Sequence, residues 1–130
     1  MNIKNIKILL IDDEIEFIST LAERLEIRGY VSKIAEDGES GIRMIANESF
    51  DIAILDLMMP GLSGLDTLRQ IKAIDKSLPV ILLTGHGSTK DGMEGMRIGA
   101  FDFLMKPLDI NDLLQKITMA LSEFQKKEDK

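Results

Sequence analysis

The sequence predicts an α/β fold in which a five-stranded parallel sheet, in strand order 2-1-3-4-5, carries five helices on its two faces. The first observation is that short apolar runs alternate five times with longer segments of helical periodicity, a pattern typical of doubly wound sheets. The second is that the first, third and fourth runs are apolar almost throughout, as expected for central parallel strands buried on both faces. Right-handed crossovers then place helices on both sides of the sheet.

The five predicted strands are the apolar runs themselves. They are short, and a polar or charged residue directly follows each of them. In chain order they cover 6–11, 31–35, 52–55, 79–83 and 101–105.

Four of the five predicted helices show apolar residues spaced three and four apart, which is typical of a helix with one face on a core. The first ends at Gly29, and the second, over 40–48, is short. The apolar positions in chain order are Phe17, Ile18, Leu21 and Leu25; Ile42, Met44 and Ile45; Leu65, Leu68, Ile71 and Ile74; and Ile110, Leu113, Leu114, Ile117 and Leu121. The eight methionines of the chain are expected to fill gaps in the core.

The fourth predicted helix, over 89–99, is the weakest of the five. It contains Gly92 and Gly95 and ends at Gly99, and each glycine in a helix interior costs about 1 kcal/mol relative to alanine. We therefore expect it to be the most mobile helix.

Composition restricts the classes of function. A chain of 130 residues, 45% hydrophobic and 29% charged, fits one globular domain. Its formal charge of −6 disfavours nucleic acid or an anionic membrane as a partner and favours a cation or a basic protein surface. The absence of cysteine is consistent with a reducing cytoplasm. The N-terminal segment has four successive apolar residues, too few for a signal peptide or a membrane span, so we expect a cytoplasmic protein.

Acidic side chains follow two strands that the predicted order makes neighbours. Asp12 and Asp13 come directly after the first run, and Asp56 comes directly after the third. Ligands of such sheets bind at the carboxyl ends of the strands, where the strand order reverses, which here is between strands one and three. Three carboxylates at close range repel one another. Mg²⁺, which binds to one or two carboxylates together with waters and phosphate oxygens, would compensate them.

Two more strand ends add a hydroxyl and an ammonium group to the predicted site. The fourth run leads to Thr84, followed by Gly85, and the fifth leads to Lys106. These groups suit a phosphoryl group, whose oxygens are stabilised by a cation, a hydroxyl donor and a positive side chain. Asp12 and Asp13 would then hold Mg²⁺ while Asp56 acts as the nucleophile. Taken alone, the Asp12–Asp13 pair is better explained as an N-cap of a helix that begins near Glu14, and only the combination with the other strand ends favours a metal site.

Four motifs carry a resemblance to a known family: "ILLIDDE", "DIAILDLMMPGLSGLD", "VILLTGHG" and "IGAFDFLMKPLD". From about Asn5 to Phe124 the chain resembles a receiver domain of two-component response regulators, which has a flavodoxin-like fold. The resemblance implies a single receiver domain over 1–124 and a polar tail over 125–130 where a linker begins. It also implies that Asp56 accepts the phosphoryl group. Asp12 and Asp13 would bind Mg²⁺ together with the backbone carbonyl of Met58. Thr84 and Phe103 would be the switch hydroxyl and the switch aromatic residue, and Lys106 would be the family's lysine, followed by a cis peptide bond to Pro107.

The same resemblance implies partners and a mode of action. A sensor histidine kinase or a phosphotransfer protein would donate the phosphoryl group, and the domain would catalyse its own phosphorylation and dephosphorylation without being an enzyme for other substrates. The face formed by the fourth helix, the fifth strand and the fifth helix would then change its affinity for an output domain or a second copy. The side chains of Met58 and His86 would line the approach to the phosphoryl group.

Three other classes of function compete with this interpretation. A flavodoxin-like redox carrier would need a phosphate-binding loop after the first strand, where this chain has "DDEIEF". A hydrolase of the aspartyl-phosphate type typically carries its nucleophile after the first strand, whereas here the candidate follows the third. A receiver used as an unphosphorylated scaffold would lack one acid or the lysine, and none is missing.

Overall fold

The structure, a computed structural model, describes residues 5–85 and 89–128 of the chain. Within these residues five strands and five helices alternate strictly. The strands are β1 (Lys7–Ile11), β2 (Val31–Ala35), β3 (Ile52–Asp56), β4 (Val80–Thr84) and β5 (Asp102–Met105). The helices are α1 (Ile15–Ile27), α2 (Gly38–Asn47), α3 (Gly64–Ile74), α4 (Thr89–Ile98) and α5 (Ile110–Glu128).

The sheet has the predicted order, β2-β1-β3-β4-β5, and every neighbouring pair is parallel. All five residues of β3 and of β4 are buried, while the edge strands β2 and β5 are only partly buried. This confirms the inference that near-continuous apolar runs mark the central strands. β3 therefore lies near the middle of the sheet, and Asp56 is its last residue.

Two hydrophobic clusters cover the two faces of the sheet. One contains Ile8, Leu10 and Ile54 from the strands, packed against buried residues of α1 and α5. The other contains Leu9, Leu55 and Leu82, packed against residues of α2, α3 and α4. Alternate residues of each central strand face opposite clusters, so side chains pack against β1 and β3 on both faces of the sheet. The residues that follow them are held by the same packing.

Local hydrogen bonds explain where two helices begin. Asp37 Oδ1 accepts a hydrogen bond of 2.7 Å from the backbone N–H of Ser40, which starts α2 at Gly38, two residues before the predicted start. Ser63 Oγ accepts one of 3.1 Å from Asp66, which starts α3 at Gly64. At the other end of the chain α5 continues to Glu128, into the segment 125–130 that the sequence suggested as a polar tail.

Some packing predictions were wrong. Met58, Met93, Met96, Met105 and Met119 are exposed, whereas Met44 and Met59 do pack against the core. Ile74, assigned to the apolar face of α3, is also exposed. Among the described helices, none is long and apolar enough to cross a bilayer.

Buried glycines in α4 contact the sheet closely. A Cβ atom on Gly92 would lie 2.6 Å from Cδ2 of Phe103, and one on Gly95 would lie 2.1 Å from Cδ1 of Leu82. The sequence showed only that these glycines weaken the helix. The structure adds that they let α4 approach β4 and β5 at distances that no larger residue permits without rearrangement.

Candidate functional site

The carboxyl ends of four strands deliver the predicted site residues to one edge of the sheet. Asp12 follows β1, and its backbone N–H donates to the carbonyl of Ala35 at 3.0 Å, which extends the β1–β2 pairing. Asp56 and Thr84 are the last residues of β3 and β4. Lys106 follows β5, and its N–H donates to the carbonyl of Thr84 at 2.8 Å. Ladder hydrogen bonds thus fix the backbone of these residues.

Asp12, Asp13 and Asp56 form the acidic cluster that the sequence predicted. One carboxylate oxygen from each lies within 4.8 Å of the others. The side chain of Asp12 is fully buried and that of Asp56 is 2% exposed, whereas Asp13 is more accessible. Burial of two acids beside a third is costly without a compensating positive charge.

The capping alternative for the Asp12–Asp13 pair does not describe what these side chains do. The residue at the N-cap of α1 is Glu14, whose side chain makes no capping hydrogen bond. Asp12 Oδ1 accepts a hydrogen bond of 2.9 Å from the N–H of Glu14, in a local turn before the helix. Asp13 Oδ1 is buried and has no hydrogen-bond partner among the described residues. One oxygen of the pair is therefore left for a ligand.

The carboxyl group of Asp56 is destabilised as an anion. Its Oδ1 accepts a hydrogen bond of 3.1 Å from the backbone N–H of Met58. Burial raises the pKa of Asp56 from 3.8 to about 6; the Met58 hydrogen bond lowers it, the charge of Asp12 raises it and that of Lys106 lowers it. A carboxylate in this state gains strongly from a cation.

Lys106 supplies the positive charge of the site. Its Nζ lies 2.9 Å from Asp12 Oδ2, 2.5 Å from Glu14 Oε1 and 3.6 Å from Asp56 Oδ2. It also lies 4.4 Å from the centre of the Phe17 ring. Burial on its own would lower the pKa of Lys106, but the hydrogen bonds to Glu14 and Asp12 and the charges of Asp12 and Asp56 leave it raised.

Thr84, the last residue of β4, adds a buried hydroxyl at this edge of the sheet. The residue is fully buried, and its Oγ1 has no hydrogen-bond partner in the described part of the chain. An unpaired buried hydroxyl is unfavourable, which is why most are satisfied in native proteins. Next to it, a Cβ on Gly85 would meet Cγ of Met58 at an ordinary 3.8 Å. A methyl group would therefore fit at position 85 without a clash among the described residues.

The other predicted residues lie around this centre. Phe103 is partly buried against the second cluster, with its ring against Gly92 of α4. The Lys106–Pro107 peptide is cis, as the resemblance implied. Met58 is 58% exposed at the mouth of the site, while His86 lies outside the described residues. The sequence interpretation missed Glu14, although a third acid directly after the Asp12–Asp13 pair was a visible signal.

The donor set of the cluster fits Mg²⁺. Hard divalent cations take oxygen ligands, and Mg²⁺ is typically held by few carboxylates with the remaining positions left to water and phosphate oxygens. The cluster offers carboxylate oxygens only, one of them unpartnered on Asp13. The part of the chain that the structure describes contains no cysteine or histidine in this cluster, which disfavours softer metals.

Comparison with known proteins gives a consistent result. The sequence model described as "response regulator receiver domain" matches residues 8–118. The transcriptional regulatory protein CpxR of Escherichia coli (strain K12) is 40% identical over 115 residues, which are 88% of this chain and 49% of CpxR. The uncharacterized transcriptional regulatory protein YkoG of Bacillus subtilis (strain 168) is 40% identical over 116 residues, which are 89% of this chain and 51% of YkoG. The chain thus spans about half the length of these curated relatives.

Solved structures show the same similarity. A response regulator receiver domain protein from Clostridium thermocellum is 40% identical, with a TM-score of 0.87 over 92% of this chain and 96% of its own. A CheY-like receiver domain protein from Methanospirillum hungatei JF-1 is 30% identical, with a TM-score of 0.89 over 97% of this chain and 99% of its own. The predicted sheet order and helix arrangement are confirmed by these neighbours as well as by the structure itself.

Proposed function

The chain belongs to the family of response regulator receiver domains, the phosphorylation-activated signalling switches of two-component systems, and we propose that Asp56 is its phosphoryl acceptor. The observation that carries this proposal is the difference between the hydrogen bonds of the two buried acids, Asp12 and Asp56. Asp12 uses both oxygens, Oδ1 with the N–H of Glu14 and Oδ2 with Lys106. Asp56 Oδ2 is 3.6 Å from Lys106, beyond hydrogen-bond length, and is the freer nucleophile.

The proposed metal site consists of Asp12, Asp13, Asp56 and the backbone carbonyl of Met58. The carboxylate cluster and the unpartnered oxygen of Asp13 support it. When bound, Mg²⁺ would neutralise charge on the phosphoryl oxygens and on the acids. Asp12 and Asp13 would only bind the metal. Asp56 would contribute one carboxylate oxygen to the metal site and use the other to attack phosphorus.

The proposed reaction uses three side chains of the site, those of Asp56, Lys106 and Thr84. Asp56 Oδ2 attacks the phosphorus of a phosphohistidine or of a small acyl phosphate, and the bond between phosphorus and the donor breaks as the new O–P bond forms. Lys106 offers its ammonium to a phosphoryl oxygen, and Thr84 donates its free hydroxyl to another. Removal of the phosphoryl group is the same displacement with water as the attacking group. The domain would therefore catalyse its own modification without acting on other substrates.

We propose that phosphorylation acts on the rest of the molecule through Thr84 and Phe103. The phosphoryl group adds roughly two negative charges at neutral pH. When the Thr84 hydroxyl turns towards it, space opens in which the Phe103 ring moves inward. Because that ring lies against Gly92, α4 must follow it. The face formed by α4, β5 and α5 then has two states, which is the requirement for a switch.

The proposed partners follow from this scheme. A sensor histidine kinase or phosphotransfer protein would donate the phosphoryl group in the cytoplasm. An output domain or a second copy of the chain would bind to the α4-β5-α5 face, where Met93 and Met105 are exposed. Residues 1–124 would form the receiver unit, and 125–130 would lead away from it. The net charge of −6 argues against direct binding of nucleic acid by this domain.

Intact mass spectrometry tests the proposal. Incubation with acetyl phosphate and Mg²⁺ should add one phosphoryl group, and hydroxylamine should remove it. The adduct should be absent from Asp56→Asn and from protein in EDTA. Asp112→Asn, an exposed acid on α5, is the matched control and should be modified like the wild type. A folded wild-type protein that forms no adduct would favour an unphosphorylated scaffold instead.

A further inference from the structure

Glu14 makes the shortest contact to the Lys106 ammonium. Its Oε1 lies 2.5 Å from Nζ, compared with 2.9 Å for Asp12 and 3.6 Å for Asp56. The Glu14 side chain is 61% exposed, whereas that of Lys106 is only 16% exposed. The ammonium is therefore inside the site, but its strongest partner is outside the acidic cluster.

Geometry places this contact in competition with the proposed function of Lys106. An ammonium has three N–H donors. Two of them are directed to Glu14 and Asp12, and the Phe17 ring lies 4.4 Å from the same nitrogen. Asp56 Oδ2 is left at 3.6 Å, without a hydrogen bond. The third donor makes no hydrogen bond to Asp56, and the contact with Glu14 opposes any movement of the ammonium towards a phosphoryl group that forms there.

We propose that Glu14 is a positioning residue that holds the Lys106 ammonium away from Asp56 in the unphosphorylated protein and thereby slows phosphoryl transfer. The inference rests on the proposed function, because it assumes that Lys106 acts on a phosphoryl group at Asp56. Glu14 does not touch the reacting atoms in this scheme. It acts through Lys106. Because the Glu14 side chain is exposed, it can be substituted without disturbing the hydrophobic core.

The size of the effect follows from the exposure of Glu14. Ion pairs at the surface contribute little because solvent screens them, and release of such a pair corresponds to about a two- to fivefold change in rate. Glu14→Gln should therefore raise the maximal rate constant of adduct formation about two- to fivefold. The charge of the site also becomes less negative, which affects the donor concentration at half-maximal rate.

A control variant separates these two effects. Glu16 is an exposed acid two residues further along, in the first turn of α1, and among the described residues no ion pair or hydrogen bond joins it to Lys106. Glu16→Gln changes the net charge equally. Adduct formation from phosphoramidate would be followed at saturating Mg²⁺ over a range of donor concentrations. Glu14→Gln should raise the maximal rate constant and Glu16→Gln should leave it unchanged. Equal rates in all three proteins, or equal increases in both variants, would overturn the inference.

A second experiment tests the contact without metal or phosphoryl donor. Urea midpoints in EDTA would be measured for Glu14→Gln in the wild-type background and in a Lys106→Met background. If Glu14 acts through Lys106, Glu14→Gln should shift the midpoint upward more in the Lys106→Met background, where only its repulsion by the other acids is removed. Equal shifts would contradict the inference. If Lys106→Met is partly unfolded even without urea, Lys106→Gln takes its place in the experiment.

The two experiments fail in different ways. A wild-type protein that forms no adduct contradicts the proposed function, while the urea midpoints still decide whether Glu14 and Lys106 are coupled. A wild-type protein that forms the adduct, with Glu14→Gln no faster than Glu16→Gln, contradicts only the role of Glu14.

Discussion

Replacement of Asp56 by asparagine should stabilise the metal-free protein. Burial and the neighbouring Asp12 raise the pKa of Asp56 from 3.8 to about 6 in the folded state. At about 1.4 kcal/mol per pKa unit, the ionised carboxylate lowers the free energy of unfolding by about 3 kcal/mol at neutral pH. Asparagine is nearly isosteric, carries no charge, and keeps an oxygen that accepts the hydrogen bond from Met58. The variant should therefore regain about 3 kcal/mol.

The gain in stability of Asp56→Asn should depend on pH, and the raised pKa of Asp56 determines in which direction. An acid whose pKa is higher in the folded than in the unfolded state favours folding while it is protonated. Its contribution is fully present below 3.8 and is lost as the pH rises through about 6. The difference between Asp56→Asn and the wild type should thus be small near pH 3.8 and should grow to its full size above about pH 7.

Urea unfolding in EDTA at several pH values measures the effect. Asp112→Asn, at an exposed position, controls for the change in net charge and should alter the free energy of unfolding by less than about 0.5 kcal/mol. Addition of Mg²⁺ should narrow the gap, since a ligand that binds only the folded wild type stabilises it. A gain below about 1 kcal/mol, or one that does not shrink on acidification, would refute the argument that burial destabilises the Asp56 carboxylate.

Other substitutions test the packing and the polar groups around the site. Gly92→Ala should lower the free energy of unfolding by about 1 to 2 kcal/mol, because its Cβ would lie 2.6 Å from the Phe103 ring. The higher helix propensity of alanine offsets only part of the cost of that overlap. Met93→Ala, at an exposed position on the same helix, is the control and should be nearly neutral in the same urea experiment. Thr84→Val removes a buried hydroxyl without a partner among the described residues, and it should raise the free energy of unfolding in EDTA by about 1 kcal/mol. Lys106→Met should slow adduct formation about a hundredfold by intact mass, as expected for loss of one charge that stabilises the transferring group; an unchanged rate would remove Lys106 from the proposed reaction.

The positions of the main site residues could be predicted from the sequence because topology alone determines them. Asp12, Asp56, Thr84 and Lys106 each end or follow a strand, and parallel strands bring their carboxyl ends to the same edge. A residue at such a position reaches the site whatever its side chain does. The prediction needed only the correct assignment of the strands, and near-continuous apolar runs mark three of these four, β1, β3 and β4.

Contacts that depend on side-chain conformation or on close packing could not be predicted in this way. Glu14 is visible in the sequence as a third acid after Asp12 and Asp13, but its position does not show that its side chain turns towards Lys106. Gly92 and Gly95 were interpreted as weak points of a helix, since local propensity does not show that Phe103 and Leu82 lie directly opposite. Distances across the fold decide these contacts.

The glycines and methionines show the same limit. Gly61 has a positive φ of 78°, as expected for a turn after β3. Gly64 is the first residue of α3, where a Cβ would lie 2.4 Å from Cα of Leu57, a close approach that its sequence position does not reveal. Methionine is apolar but tolerates exposure, so the sequence did not distinguish Met44, which packs on the core, from Met93, which does not.

Reduction of the phosphorylated protein with borohydride tests the central claim most directly. An acyl phosphate is reduced to an alcohol, so an aspartyl phosphate becomes homoserine, and peptide mass spectrometry then identifies the position. We predict homoserine at residue 56 and unmodified aspartate at Asp12 and Asp13. Homoserine at either of those two positions, or a stable phosphoryl group on a hydroxyl such as that of Thr84, would contradict the assignment of Asp56 as the acceptor.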